Sequence, residues 1–333
     1  MLQMNATPSY YTDGQLAAYL KHIGLPSAIN DKPSLDNVET IIQHHLTTIP
    51  FDNTEMHYTK RGEVESDPQA VYTRIIEEKK GGSICYGLHL LILGMLLKLG
   101  YRGYNIMARM NRTGGDPSFL NLTVLEHQSI LIQIPGDNGT YFIDISIGLG
   151  FTRPAPLKVD CEFDGLAPQK YRFSRTHHPD SPLSGIENAE WRLETNLDLK
   201  AQPIFDPGWI AFMQFSTQPF FLKDIAIFNG LAHTRPDSVL PKAVVAMIFT
   251  GGRNGEPLTS KTVVKDNLLS RKAGCAMEVR KLESEEERIA VLEESFGITY
   301  PADSKECITG RMSAIGVAKE KSSSGPGYFP RLS

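Results

Sequence analysis

Apolar residues recur at Leu16, Tyr19, Leu20 and Ile23, the spacing of one helix face, with Thr12 or Asp13 placed to cap the segment and Gly24 to stop it. The period returns after Ser34 at Leu35, Val38, Ile41, Ile42 and Leu46, and ends in the proline-bearing turn 47–53. A third helix is predicted over 68–78, with Val71, Ile75 and Ile76 inward. A fourth runs from Cys85 toward Gly100, where Leu88, Leu91, Ile92, Met95, Leu96 and Leu99 share the helical period. The first hundred residues therefore predict a helical bundle.

Beyond Gly100 the period shortens to that of strands. Strands are predicted over 104–110, 125–134 and 141–147, with turns at 114–117 and 135–139 and shorter runs near 157–159, 171–174 and 191–194. These fit a small antiparallel sheet or barrel. The last third mixes types: 209–228 reads as helical in part, and strands over 243–250 and 259–264 flank the turn Gly251-Gly252-Arg253-Asn254-Gly255. Ser284 caps an amphipathic helix through Ile289, Leu292 and Phe296 that Gly297 ends. From about 303 onward, Lys, Ser, Gly and Pro predict a loosely held tail.

Composition narrows the functional classes. The 333 residues are 41% hydrophobic and 22% charged with a net charge of −4, and carry no long basic run, so nucleic acid is not an expected partner. No apolar span reaches membrane-helix length, and the first eight residues lack a basic and apolar leader pattern, so a cytoplasmic protein is expected. Cys85, Cys161, Cys275 and Cys307 are far apart and form no CxxC pair, which argues against zinc and against a disulfide framework.

Cys85 sits where the fourth helix should begin. Free N–H groups and the positive end of the dipole favour a thiolate there, and Gly81-Gly82 ahead of it leave room for a substrate. A small buried cysteine in a packed helix fits the same residues equally well. A nucleophile needs a base and a group to orient it. His127 lies within a strand, and Asp144 is embedded in Phe142-Ile143-Asp144-Ile145, an expensive place for a carboxylate without a donor. His89 is four residues past Cys85 on the same helix face, with no acid spaced to orient it, while His177 and His178 belong to a polar loop. His22, His44, His45 and His57 are expected on exposed faces or loops. A plain hairpin across 135–139 sets His127 opposite Gly148, too far from Asp144 at roughly 3.4 Å per residue. Joining them requires a bulge, a shifted register or another sheet order.

Taken in order, Cys85, His127 and Asp144 with their surroundings resemble the arylamine N-acetyltransferase family. Thr48-Ile49-Pro50-Phe51-Asp52-Asn53 resembles its Ile-Pro-Phe-Glu-Asn element, and Lys80-Gly81-Gly82-Ser83-Ile84-Cys85 its Arg-Gly-Gly-x-Cys motif. Tyr141 to Gly148 resembles its Val-Asp-x-Gly-Phe-Gly strand, and Pro156-Leu157, Ser216-Thr217-Gln218-Pro219 and Glu293 to Ile298 match later elements. The departures are an extra residue before Cys85, Lys80 for arginine, Asp52 for glutamate, His89 for asparagine and Ser146-Ile147-Gly148 for Gly-Phe-Gly. An Asp52–Lys80 ion pair is the expected substitute for the family's Glu–Arg pair.

The resemblance implies an α+β, cysteine-protease-like arrangement of three domains. These are a helical bundle carrying Cys85 (1–103), an antiparallel β-barrel carrying His127 and Asp144 (104–207) and an α/β lid (208–302), followed by a flexible tail (303–333). It further implies ping-pong transfer of an acetyl or malonyl group from acyl-CoA, through a Cys85 thioester, to an arylamine, arylhydrazine or N-hydroxyarylamine. Phe51 and Ile147 become acceptor-pocket walls, and Thr123, Ser216 and Thr217 become CoA contacts. No metal is needed, and a monomer or weak homo-oligomer is expected. Two alternatives share the residues: a Cys-His-Asp amide synthase or amidase that does not use acyl-CoA, and a catalytically weak homologue.

Overall fold

Thr12 caps the first helix through a reciprocal pair: its hydroxyl accepts the Gln15 N–H (3.2 Å) while the Gln15 side chain accepts the Thr12 N–H (3.0 Å). The computed structural model describes residues 2–26, 32–113, 120–196, 209–253, 256–301 and 303–317. The predicted turn 114–117, the boundary at 207, the tip of the 251–255 turn and the tail beyond 317 lie outside the described residues.

The N-terminal elements are α1 (Asp13–His22), α2 (Leu35–Leu46), β1 (Phe51–Asp52), α3 (Thr54–Tyr58), α4 (Pro68–Tyr72) and α5 (Cys85–Lys98). Asp67 caps α4 by accepting the Gln69 and Ala70 N–H groups, and Pro68 fills its first turn. The predicted third helix does not stay α-helical: after Tyr72 it widens into a π turn, Thr73–Glu77. The sequence pattern marked one apolar stripe on α5. In the structure every residue from Cys85 to Leu97 is buried, because the bundle closes on one side of α5 and the barrel strands pack on the other.

The central strands are β2 (Arg102–Asn111), β3 (Leu122–Gln133), β4 (Tyr141–Ile143), β5 (Ala155–Pro156), β6 (Glu162–Asp164), β7 (Lys170–Thr176), β8 (Glu190–Asn196) and β9 (Trp209–Phe215). They pair antiparallel in the order β5-β4-β3-β2-β9-β8-β7-β6 and curl into a near-closed barrel. Phe142, Phe173 and Phe215 meet in its interior, with the Phe142 and Phe215 rings stacked 5.3 Å apart. The stretch 209–228, read as partly helical, divides into β9 and then α6 (Leu222–Thr234).

The remaining elements are β10 (Val245–Gly251), β11 (Leu258–Lys265), β12 (Leu268–Ala273), β13 (Ala276–Lys281), α7 (Glu285–Phe296) and α8 (Ser304–Ile308). Four of them extend a sheet that starts in the bundle, since β1 pairs with β10 and sets Phe51 opposite Met247. These strands are thereby joined to β1, whose Phe51 in turn bridges Ser83 in the loop that precedes Cys85. The tail expected to be loose from 303 is held as far as 317. Ile308, Ser313 and Ala314 are buried, and the Ser313 carbonyl accepts the buried Arg288 guanidinium (3.0 Å).

Candidate functional site

Three buried side chains from three elements converge at the start of α5. His127 on β3 donates its Nε2–H to Asp144 Oδ2 at 2.5 Å, and its ring also hydrogen-bonds Cys85. With Nε2 engaged by the carboxylate, Nδ1 is the nitrogen left for the sulfur. The Ser129 hydroxyl donates to the same Asp144 oxygen (2.7 Å), while the Ser146 and Ile147 N–H groups donate to Oδ1 (3.0 and 3.3 Å). The costly buried carboxylate thus has donors on both oxygens.

Two local irregularities lie at this meeting, one in each ladder of β3. On β3, Leu125 lies opposite Arg109 and His127 opposite Ala108, so Glu126 is the extra residue of a bulge. Between β3 and β4 the register sets Ile130 opposite Ile143, two residues off the plain hairpin. Extended by one position, it places Asp144 opposite Ser129, diagonal to His127 on the same face and within reach of its ring. Glu126 holds the bulge: its carboxylate binds Arg112 at 2.9 Å and Arg235 at 2.7 Å, and its carbonyl accepts the Tyr86 hydroxyl (2.9 Å) beside Cys85.

Burial disfavours charge on both partners, and each partner's charge opposes that penalty in the other. Burial lowers the His127 pKa, but Asp144, its hydrogen bond and Cys85 outweigh that and hold it at about 10. Burial raises the Asp144 carboxyl, but His127 and His89 outweigh it and hold the group below the usual carboxylate range. His89, one turn into α5, is different: burial takes its pKa down to about 4. Neutral, its Nδ1–H donates to the Cys85 carbonyl (3.0 Å) and its Nε2 accepts the Ile145 N–H (3.2 Å). His89 therefore ties the cysteine's helix turn to the aspartate's loop, a link that sequence spacing did not show.

The loop ahead of Cys85 is clamped from below. Asp52 Oδ2 accepts the Gly82 N–H (2.6 Å), and Arg74 donates to the Gly82 carbonyl (3.1 Å) while lying 3.7 Å from Asp52. The π turn is what directs Arg74 inward. A Cβ at Gly82 would fall 1.7 Å from the Pro50 carbonyl oxygen, so only glycine lets the two strands approach. The expected Asp52–Lys80 pair is not formed: Lys80 is half exposed and pairs with Glu78 at 3.0 Å. Arg74→Met strands Asp52 in the interior and is expected to destabilise the fold by about 3–5 kcal/mol, whereas Lys80→Glu changes stability by about 0.5 kcal/mol or less. Urea denaturation of the two variants checks this, and equal midpoints would refute it.

The other expected site residues take varied places. Phe51 bridges Ser83, two residues before Cys85, and Ile147 sits in the loop that wraps Asp144. Ser216 follows Phe215, which lies two strands from His127 in register, roughly 10 Å away. Thr123 is four residues before His127, with its hydroxyl engaged by the Met110 N–H and the Val124 carbonyl. Thr217 offers its carbonyl to the Tyr104 hydroxyl (2.8 Å). The histidines read as exposed are largely inside: His44, His45 and His57 are buried, His45 against the Tyr19 hydroxyl and His57 against the Ser313 hydroxyl. No group of three metal-ligating side chains occurs among the described residues.

Known proteins resemble this chain in sequence and in fold. The chain is 25% identical over 332 residues to N-malonyltransferase FDB2 of Fusarium pseudograminearum, covering 90% of this chain and 92% of that one. It is 26% identical over 237 residues to an arylamine N-acetyltransferase of Mycobacterium tuberculosis, covering 71% and 74%. The arylamine N-acetyltransferase of Mycobacterium abscessus shares its fold with a TM-score of 0.72 at 19% identity, over 91% of this chain and 97% of that one. The Mycobacterium marinum enzyme in complex with CoA does so with a TM-score of 0.69 at 19% identity, over 88% and 98%. A family model described as N-acetyltransferase matches residues 34–304. That match spans most of the chain and all three candidate residues, and the chain belongs to the arylamine N-acetyltransferase family.

Proposed function

We propose that the protein moves an acetyl or malonyl group from acyl-CoA to an arylamine, arylhydrazine or N-hydroxyarylamine through a thioester on Cys85. The observation that carries this reading is His127, bonded at once to Cys85 and to Asp144. Its raised pKa favours an imidazolium beside a thiolate. The thiolate attacks the acyl-CoA carbonyl, the C–S bond to CoA breaks, and His127 gives the departing CoA sulfur a proton. An amine then attacks the Cys85 thioester, passes a proton to His127 and regenerates the thiolate.

Leu88 is the first residue of α5 whose N–H reaches an intrahelical acceptor, the Ile84 carbonyl (3.0 Å). The preceding N–H groups of the first turn have none within the helix and are suited to an oxyanion. Phe51 and Ile147 are proposed walls for the amine, and Thr123, Ser216 and Thr217 proposed CoA contacts. Among these, Ser216 and Thr217 are supported by their place two strands from His127.

Intact mass after incubation with a panel of acyl-CoAs tests the proposal. An acyl adduct on the wild type and none on Cys85→Ser is the expected result, and it names the donor. Absence of an adduct with every acyl-CoA, with amide-bond substrates turned over instead, would move the chain to the amidase reading.

A further inference from the structure

β11 alternates between two faces. Lys261 and Val263 stand opposite Phe249 and Met247 of β10, and Val263, Phe249 and Met247 pack in the same apolar cluster as Phe51 and Cys85. Val264 turns instead to the cluster formed with α7. A lysine thus occupies a position on the face turned to the candidate site, where an apolar residue would pack more cheaply.

Its ammonium is aimed at the aspartate's loop. Lys261 Nζ donates to the Gly148 carbonyl at 2.9 Å, and Gly148 follows Ile147, whose N–H is bonded to Asp144. A Cβ on Gly148 would lie 2.5 Å from Met247 Sδ and 3.3 Å from Lys261 Nζ, so glycine is what admits both groups. Across the next strand pair, Lys261 faces Lys272. Like charges directly opposite weaken a sheet, and among the described residues neither lysine has an acidic partner. Burial and the Lys272 charge lower the Lys261 pKa to about 8. One carbonyl uses one of three ammonium donors, which leaves two for a ligand.

We infer that Lys261, supported by Lys272, is a subsite for a free carboxylate on the acyl group being transferred, so that a malonyl donor is selected over acetyl. The inference rests on the reading of Cys85 as the acyl carrier. A malonyl thioester supplies the missing anion, whereas an acetyl group presents only a methyl.

The test compares kcat/KM for malonyl-CoA and acetyl-CoA, with aniline as a neutral acceptor, in wild type, Lys261→Met, Lys261→Arg and Lys272→Gln. The malonyl-to-acetyl ratio is expected to fall roughly tenfold to a hundredfold in Lys261→Met, to fall less in Lys272→Gln, and to recover largely in Lys261→Arg. Equal losses on both donors would overturn the inference, as they indicate packing or a contact to CoA itself. With acetyl-CoA held fixed, a loss that follows 4-aminobenzoate rather than aniline would assign the subsite to the acceptor and also overturn it. If neither donor leaves an adduct on wild-type Cys85, the acyl-transfer reading itself has failed. Adducts from both donors with an unchanged ratio in Lys261→Met remove the subsite alone.

Discussion

Asparagine at position 144 is expected to slow acylation of Cys85 by about 10⁴-fold while leaving the protein folded. The Asp144 carboxylate accepts from His127 on one oxygen and from two backbone N–H groups on the other. An asparagine keeps the backbone bonds by turning its carbonyl toward them, and must then present its amide N–H₂ to His127. Facing a donor, Nε2 becomes an acceptor, and the ring proton moves to the nitrogen on the cysteine side. The base is then in the wrong tautomer, and the imidazolium loses the charge that raises its pKa. Single-turnover release of CoA from acetyl-CoA measures the effect. A loss smaller than about tenfold would mean that Asp144 is only a packing partner.

The second large effect is acid destabilisation. Burial lowers the pKa of His45 to about 3 and of His57 and His89 to about 4, against 6.5 when exposed. A group whose folded pKa is depressed contributes stability that is full above pH 6.5 and drains away as pH falls toward the folded value. Each histidine takes up a proton on unfolding across that window, so each contributes a slope of about 1.4 kcal/mol per pH unit. His127 acts in the opposite sense: its contribution is complete below pH 6.5 and is lost progressively as pH rises from 6.5 to about 10. Stability should therefore peak near pH 6.5, fall steeply on the acid side and decline more gently toward pH 10. Melting temperatures between about pH 7.5 and pH 5 check this, and a flat profile would contradict the neutral buried state of the three rings.

The helices were legible because their apolar period and their caps agree, as Thr12 and Ser34 show. The inward turn of Arg74 was not, because a π turn is one extra residue per turn that no local period reveals. The burial of His45 and His57 was also hidden. Their partners, Tyr19 and Ser313, are 26 and 256 residues away, and a histidine satisfied inside looks in sequence like one exposed to water. Lys261 reads as an ordinary polar position of an alternating strand, and only the packing of the barrel loop against β11 makes it unusual.

By itself the sequence determined the chemistry available: a cysteine at a helix start behind two glycines, a histidine in a strand and an aspartate in an apolar one. Their order, with the flanking motifs, was enough to indicate the family. Tertiary structure decided whether they meet. Hairpin arithmetic separated His127 from Asp144; the two-residue shift in the β3–β4 register brought them to 2.5 Å. Register and bulges are set by what a strand packs against, here α5 on one side and the Glu126–Arg112–Arg235 cluster at its end, and those contacts are made by residues distant in the chain.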